Sequence, residues 1–352
     1  MAFEISKPYN KAIKARNNKA NMEKIMSELR YNPFLKDWVM VAANRQNRPD
    51  MPSDYCPFCP GSGKVPNDYD VYAYDNDFPV IVQQWSAKAD EGEFFKKRGT
   101  YGKCEVLLYH PSHHAVLPEL PAEHIRKLVD LWCCRNEELS KDTNIQYIYI
   151  FENRGKEAGV TMPHPHGQLY AFGWIPKAIQ TELDSSSEYF NENGRCLMCD
   201  LIANEKKEQS RMVYENESMA VFVPFFTVWP YGTYIAAKSH AGNLLDLDEQ
   251  QKNDLADALR CITGAYDTLF DSTFPYMMGI HQTPCNTVDA SGYYHFHIEF
   301  YPPLRARDKQ YLRASCETGA GAYCNVTLPE ETSSELQQAL ARFLKWNETY
   351  AL

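Results

Sequence analysis

Residues 159–168 read Gly-Val-Thr-Met-Pro-His-Pro-His-Gly-Gln. His164 and His166 alternate along this extended run, and side chains two apart in a strand share a face, so both imidazoles are placed to serve one site. Imidazole near neutral pH is a metal ligand, a nucleophile or a proton carrier. Pro163 and Pro165 stiffen the run and lack a backbone N–H. Gln168 continues the alternation with an uncharged amide. The plain alternative is a pair of surface histidines in a Pro-rich loop. The flanking sequence argues against it.

The pattern returns at Tyr294-His295-Phe296-His297-Ile298-Glu299, and what precedes each copy also repeats. The first copy has Cys56-Pro-Phe-Cys59, a strand over 104–109, His113-His114, a helix over 121–141 and a strand over 145–151. The second has Cys196-Leu-Met-Cys199, strands over 219–222 and 233–237, His240, a helix over about 248–270 and a strand leading to Gly279-Ile280-His281. Ile125, Leu128, Val129 and Trp132 fall on one face of the first helix; Leu255, Leu259, Ile262, Tyr266 and Leu269 fall on one face of the second. Cys59 to His113 spans 54 positions against 41 from Cys199 to His240, and His113 to His164 spans 51 against 55 from His240 to His295. His113 lies seven residues before Leu120 and His240 seven before Leu247, which favours His113 over His114 as the partner. The chain is an internal duplication. A polar linker near 184–194 is expected to join the copies, and 334–346 has the spacing of a helix packed on the core.

Two cysteines and two histidines suit tetrahedral Zn²⁺. One set is Cys56, Cys59, His113 and His164; the other is Cys196, Cys199, His240 and His295. Four protein ligands close the coordination shell, so one or two such zincs are expected to be structural and to leave His166 to act. Two rivals stand beside this. In one, both CxxC units share one zinc. In the other, the second repeat uses Glu182, His281, His295 and His297, which leaves its CxxC idle. A neutral imidazole is a fair nucleophile toward phosphorus. Where a third histidine could protonate a leaving group, Gln168 can only hydrogen-bond, which favours a covalent adduct and transfer over hydrolysis. Asn153, Gly159 and Thr161 could supply neutral donors to phosphate oxygens, and Arg45 and Arg48 a forked anion site. With Glu299 two residues beyond His297, the second repeat is expected to have lost this chemistry.

Composition sets bounds. The 352 residues carry a net charge of −10, which excludes the basic footprint of a duplex nucleic-acid binder but leaves room for a small anionic substrate. No run of about 18 apolar residues marks a membrane span. Eleven cysteines, an odd number, without a signal sequence point to a reducing compartment, where paired cysteines are more often metal ligands than disulfides. Residues 1–21 lack apolar periodicity and read as a loose arm. Residues 22–190 and 191–352 are then an active N-terminal domain and its C-terminal copy.

The motifs RYNPFLKDWV (30–39), NRQNRP (44–49), CPFCPG (56–61), NDFPV (76–80), HPSHHAVLPEL (110–120), ENRG (152–155), HPHGQ (164–168), TFPYMMGIH (273–281) and HFHIEFYPP (295–303) resemble the histidine-triad superfamily and, within it, the galactose-1-phosphate uridylyltransferase family. That resemblance implies an α+β fold of two tandem repeats, each an antiparallel sheet with packed helices. It implies a cytoplasmic homodimer that transfers a uridylyl group from UDP-glucose to galactose-1-phosphate through a covalent His166 intermediate, in the Leloir pathway of galactose metabolism. It implies nucleotide contacts at Arg45, Arg48, Asn76 and Asp77, phosphate contacts at Asn153, Thr161 and Gln168, and a sugar contact at Glu317. The chain departs from the family pattern in two places: Thr161 stands where Ser is usual, and Tyr311-Leu312 where many members have Lys-Phe. Plant-type nucleotide-sugar phosphorylases, which use inorganic phosphate with an adenine nucleotide sugar, are similar too, but usually differ at Pro165 and Gly167. A zinc-stabilised binding module without catalysis is the third reading.

Overall fold

The structure is a computed structural model that describes residues 27–42, 55–86, 92–160 and 162–350. The expectations for the 1–21 arm, for Arg45 and Arg48, and for Thr161 lie outside the described residues. The chain divides into two compact units, 1–50 with 77–104, and 51–76 with 105–352.

The strands in chain order begin with β1 (Ser27–Asn32), β2 (Asp37–Ala42), β3 (Tyr72–Asp75), β4 (Lys97–Gly99), β5 (Gly102–Leu108), β6 (Tyr147–Arg154) and β7 (His166–Phe172). In the first unit, β2, β1 and β4 form a three-stranded antiparallel sheet. Its hairpin turns at Asn32-Pro33, where the Asn32 amide oxygen accepts the Phe34 N–H at 3.0 Å. The Arg98 guanidinium lies 4.2 Å over the Trp38 ring.

The second unit continues with β8 (Met212–Glu215), β9 (Met219–Phe222), β10 (Thr233–Ala237), β11 (Tyr276–His281) and β12 (His297–Tyr301). Nine strands make one sheet in the order β3-β5-β7-β6-β11-β12-β10-β9-β8. The duplication is visible in that order. β6 and β11 pair antiparallel at the centre, and the HxH strands β7 and β12 flank them. The two repeats therefore share one continuous sheet.

Helices α1 (Ala122–Ser140) and α4 (Glu249–Leu269) pack against each other, and α5 (Pro329–Tyr350) packs on α4. The α1 stripe Ile125, Leu128, Val129 and Trp132 is fully buried, worth roughly 1.5–3 kcal/mol per large side chain. α4 starts where its sequence places it. Asp248 accepts the Gln251 N–H and the Gln251 side chain accepts the Asp248 N–H, a reciprocal cap that satisfies two orphan donors. Gly264 of α4 is needed for the α5 contact, since a Cβ there would stand 2.4 Å from the Phe343 ring.

Two expectations need correction. The supposed polar linker at 184–194 lies mostly within helix α2 (Lys177–Asn193), which ends at Gly194 in a left-handed cap. Its apolar stripe is short: Ile179 and Leu183 pack beneath Tyr147 and Tyr294, while most residues over 184–193 are polar and half-buried or exposed and so look like a linker. Helix α3 (Leu197–Glu208) follows and covers Met212, Ala220 and Phe222 through Ile202. In each HxH motif, moreover, only the second histidine belongs to the strand: β7 begins at His166 and β12 at His297.

Candidate active site and paired metal-ligand clusters

The turn before β7 separates the two histidines that the sequence places together. His164 is fully buried and joins Cys56, Cys59 and His113, with its Nδ1 3.6 Å from the Cys59 sulfur and the His113 Nδ1 3.5 Å from it. His166 is half-buried and stands outside that cluster. Cys196, Cys199, His240 and His295 form the second cluster, with His295 Nδ1 3.4 Å and His240 Nδ1 3.6 Å from the Cys199 sulfur. His114 takes no part in either.

The donor sets fit a metal for a local reason. In three of the four histidines Nε2 meets a backbone carbonyl: His164 on His110 at 2.9 Å, His240 on Ser291 at 2.6 Å, and His295 on Ala237 at 2.9 Å. That places the ring proton on Nε2 and turns the Nδ1 lone pair toward the sulfurs. Burial holds the His164 pKa down at about 4, so the ring stays neutral, as a ligand must be. Cys196 is drawn down by its hydrogen bond with Cys199 and further by His295, toward the thiolate.

The rival set for the second repeat divides. His295 goes to the cysteines, and Glu182, His281 and His297 group by themselves on the outer side of the sheet. The His281 Nδ1 sits 2.9 Å from Glu182, and Glu299 lies 3.2 Å from the His297 Nε2. Burial alone would depress His281, but Glu299 and Glu182 carry its pKa up to about 9. Glu299 in turn, despite burial, is held well below the usual carboxylate range by His281 and His297.

At His166, Nδ1 donates to the His164 carbonyl at 2.7 Å, which leaves the ring lone pair on Nε2. His166 lines a cleft of ≈ 300 Å³ together with Glu152, Asn153, Gly155, Val160 and His164. Phe151 of β6 is paired with Gln168 of β7; the same register carried two residues on sets Asn153 beside His166. Asn153, His166 and Gln168 thus share the outer face of neighbouring strands. Gly159 ends a short turn at φ 78°, with open space around it. Asn76 and Asp77 directly follow β3, half-buried and exposed respectively. Glu317 sits on a single helical turn at Cys316–Ala320, where it accepts the Ala314 N–H at 3.0 Å, and does not line the cleft.

Glu152 escaped the sequence reading. It sits on the inner face of β6 in the parity of Ile148 and Ile150, is buried, and accepts the Tyr276 hydroxyl at 3.1 Å. The available signal was an acid interrupting an apolar register two residues after Ile150.

Residues 17–176 match the family described as galactose-1-phosphate uridyl transferase, N-terminal domain, and residues 182–309 match its C-terminal domain. A galactose-1-phosphate uridylyltransferase of Thermotoga maritima is 41% identical, over 89% of this chain and 98% of its own length. One from Schizosaccharomyces pombe is 35% identical, over 79% and 85%. A solved uridylyltransferase superposes with a TM-score of 0.83 at 31% identity, covering 90% of this chain and 99% of the other. An ADP-glucose phosphorylase of Arabidopsis thaliana shares the fold, with a TM-score of 0.69 at 24% identity over 89% of this chain and 98% of the other.

Proposed function

The chain belongs to the galactose-1-phosphate uridylyltransferase family and is a nucleotidyltransferase, and from that premise we propose a two-step transfer through His166. The Nε2 lone pair attacks the α-phosphorus of UDP-glucose. An N–P bond forms, the P–O bond breaks, and glucose-1-phosphate leaves with the electron pair. A phosphate oxygen of galactose-1-phosphate then attacks the uridylyl-histidine, releasing the imidazole and UDP-galactose. The observation that carries this reading is the 2.7 Å contact from His166 Nδ1 to the His164 carbonyl, which leaves Nε2 as the nucleophilic atom in the cleft. Gln168 has no proton to give a leaving group and stabilises the adduct as a neutral donor. Asn153, Gly159 and Thr161 meet the phosphates; Arg45, Arg48, Asn76 and Asp77 meet the nucleotide; Glu317 meets the sugar.

Zn²⁺ fills both Cys₂His₂ sets in this reading and supplies structural cross-links: Cys56, Cys59, His113 and His164 anchor the turn that presents His166, and Cys196, Cys199, His240 and His295 anchor the second repeat. The working domain division is an arm at 1–21, an active domain at 22–190 and its copy at 191–352. The assembly is a homodimer, and the compartment is the cytoplasm, in keeping with eleven free thiols. Among the described residues, no helix is long and apolar enough to cross a membrane.

The test is intact mass after mixing the protein with UDP-glucose alone. One added uridylyl group that disappears in His166→Gly supports the reading. An adduct with ADP-glucose instead would favour the phosphorylase chemistry, and no adduct with either would favour a binding role.

A further inference from the structure

Gly167, between His166 and Gln168, is the one residue of that trio facing the inner side of the sheet. A Cβ built on it would stand 2.4 Å from the Tyr109 hydroxyl, so that hydroxyl rests directly on the backbone joining the two site residues. Tyr109 is itself buried, its hydroxyl has no hydrogen-bond partner among the described residues, and it lines the same cleft as Glu152, whose carboxyl acts on it electrostatically. Glu152 is held from the other side by the Tyr276 hydroxyl at 3.1 Å. Tyr276 lies under the Arg154 guanidinium, 5.5 Å from ring centre, and Arg154 is clamped by Asp267 through two bonds of 2.7 and 2.8 Å. A buried polar chain thus runs from Asp267 through Arg154 and Tyr276 to Glu152, and the Tyr109 hydroxyl lies in the same cleft beneath Gly167.

The second repeat supplies a control within the same molecule. Phe151 pairs with Gln168 and Gly279 with Glu299, and these pairs occupy matching places in the two repeats. Glu152 then corresponds to Ile280 and Gly167 to Ile298, both fully buried and apolar. The matching strand β10 ends in Ile235-Ala236-Ala237, all fully buried. The second repeat therefore holds the same backbone arrangement with apolar residues at the positions of Glu152 and Gly167. The strand arrangement itself does not call for an acid at this position.

We propose that Tyr109 and Glu152 are positioning residues for the transfer reaction: the Tyr109 hydroxyl seats Gly167, and Glu152 fixes that hydroxyl, so that His166 and Gln168 stay in register with Asn153. This rests on the His166 reading above. A misplacement of about 1 Å at a reacting group costs on the order of 10²-fold in rate.

The experiment measures three quantities on the full-length protein: the single-turnover rate of uridylyl adduct formation from UDP-glucose, KM, and the thermal midpoint. Glu152→Ile, the second repeat's own residue, is expected to lower the adduct rate by about 30-fold, with KM within about two-fold and the midpoint retained. Tyr109→Phe is expected to lower the rate by about 10-fold, and Glu152→Gln, which keeps an acceptor for the hydroxyl, to recover most of what Glu152→Ile loses. A wild-type rate in Tyr109→Phe and in Glu152→Ile overturns the proposal. Should Glu152→Ile fail to fold, Tyr109→Phe decides alone. Wild-type protein that forms no adduct would overturn the His166 reading together with this one; a normal wild-type adduct with unchanged variant rates overturns only the positioning role.

Discussion

The two HxH strands hold the same backbone and different chemistry. In the first repeat, Asn153, His166 and Gln168 line one outer face; in the second, the matching positions are His281, His297 and Glu299. Both second histidines donate Nδ1–H to the carbonyl of the histidine two residues back, at 2.7 Å for His166 and 2.9 Å for His297. That bond is a property of the turn and survives in both copies. What differs is the group set beside Nε2: a neutral amide can come from Gln168, whereas Glu299 holds His297 at 3.2 Å, with His281 and Glu182 closing the set. The duplicated scaffold therefore keeps the Nδ1 bond and changes the group that stands beside Nε2. Glu299 stands where the first repeat has the neutral Gln168, and a carboxylate at that place repels a diphosphate.

The sharpest way to break this comparison is to remove each histidine in turn. His166→Gly should lower turnover by at least about 10⁴-fold and abolish the uridylyl adduct, because a nucleophile acts as a unit with its partners. His297→Gly should leave the adduct intact. Equal losses in the two variants, read by steady-state kinetics and intact mass, would mean that the second site takes part in the chemistry.

Next in size is the contrast between the metal clusters. Cys59→Ala removes the sulfur that touches both His113 and His164, so it should lower the thermal midpoint and the adduct rate together. Cys199→Ala should lower the midpoint by a similar amount and leave the adduct rate within about three-fold, since its cluster anchors the other repeat. Elemental analysis should find about one zinc fewer per chain in each variant.

A smaller effect comes from making the first repeat resemble the second. Gln168→Glu puts a carboxylate where Glu299 stands, and charge repulsion with the α-phosphoryl group should lower the adduct rate by about 10²-fold. Stability should change little, because the side chain is only half-buried. An unchanged rate would remove Gln168 from the site.

The smallest effect is a pH slope. Burial raises the Glu152 pKa from 4.5 to about 7, against the opposing pull of Arg154, Tyr276 and Tyr109. Its folded pKa lies above its unfolded value, so its contribution to stability is full below pH 4.5 and is lost as pH rises through about 7. Glu152→Gln should flatten that part of the stability curve by at most about 3 kcal/mol, measured by denaturant unfolding at pH 5 and pH 8. Ile280, its counterpart, has no such slope to remove.

Much of the site was legible because its signals are local. CxxC spacing and the register of His113 against Leu120 pick out both Cys₂His₂ groups, which the structure brings together, without reference to any distant strand. The same locality explains the errors. A two-residue alternation predicts one face and one site for His164 and His166, yet the chain enters β7 only at His166, so the turn sends His164 into the sulfur cluster. The linker at 184–194 was misread because α2 buries only a narrow stripe.

The sequence by itself determined the duplication and the two groups of two cysteines and two histidines that come together, because short motifs recur in the same order along the chain. Tertiary structure alone decided that the repeats fuse into one sheet through β6 and β11, that His295 and His297 serve different clusters, and that Tyr109 and Glu152 lie beneath Gly167. These are matters of register between strands more than 40 residues apart, set by which apolar faces bury one another, and no local pattern encodes the partner across a strand.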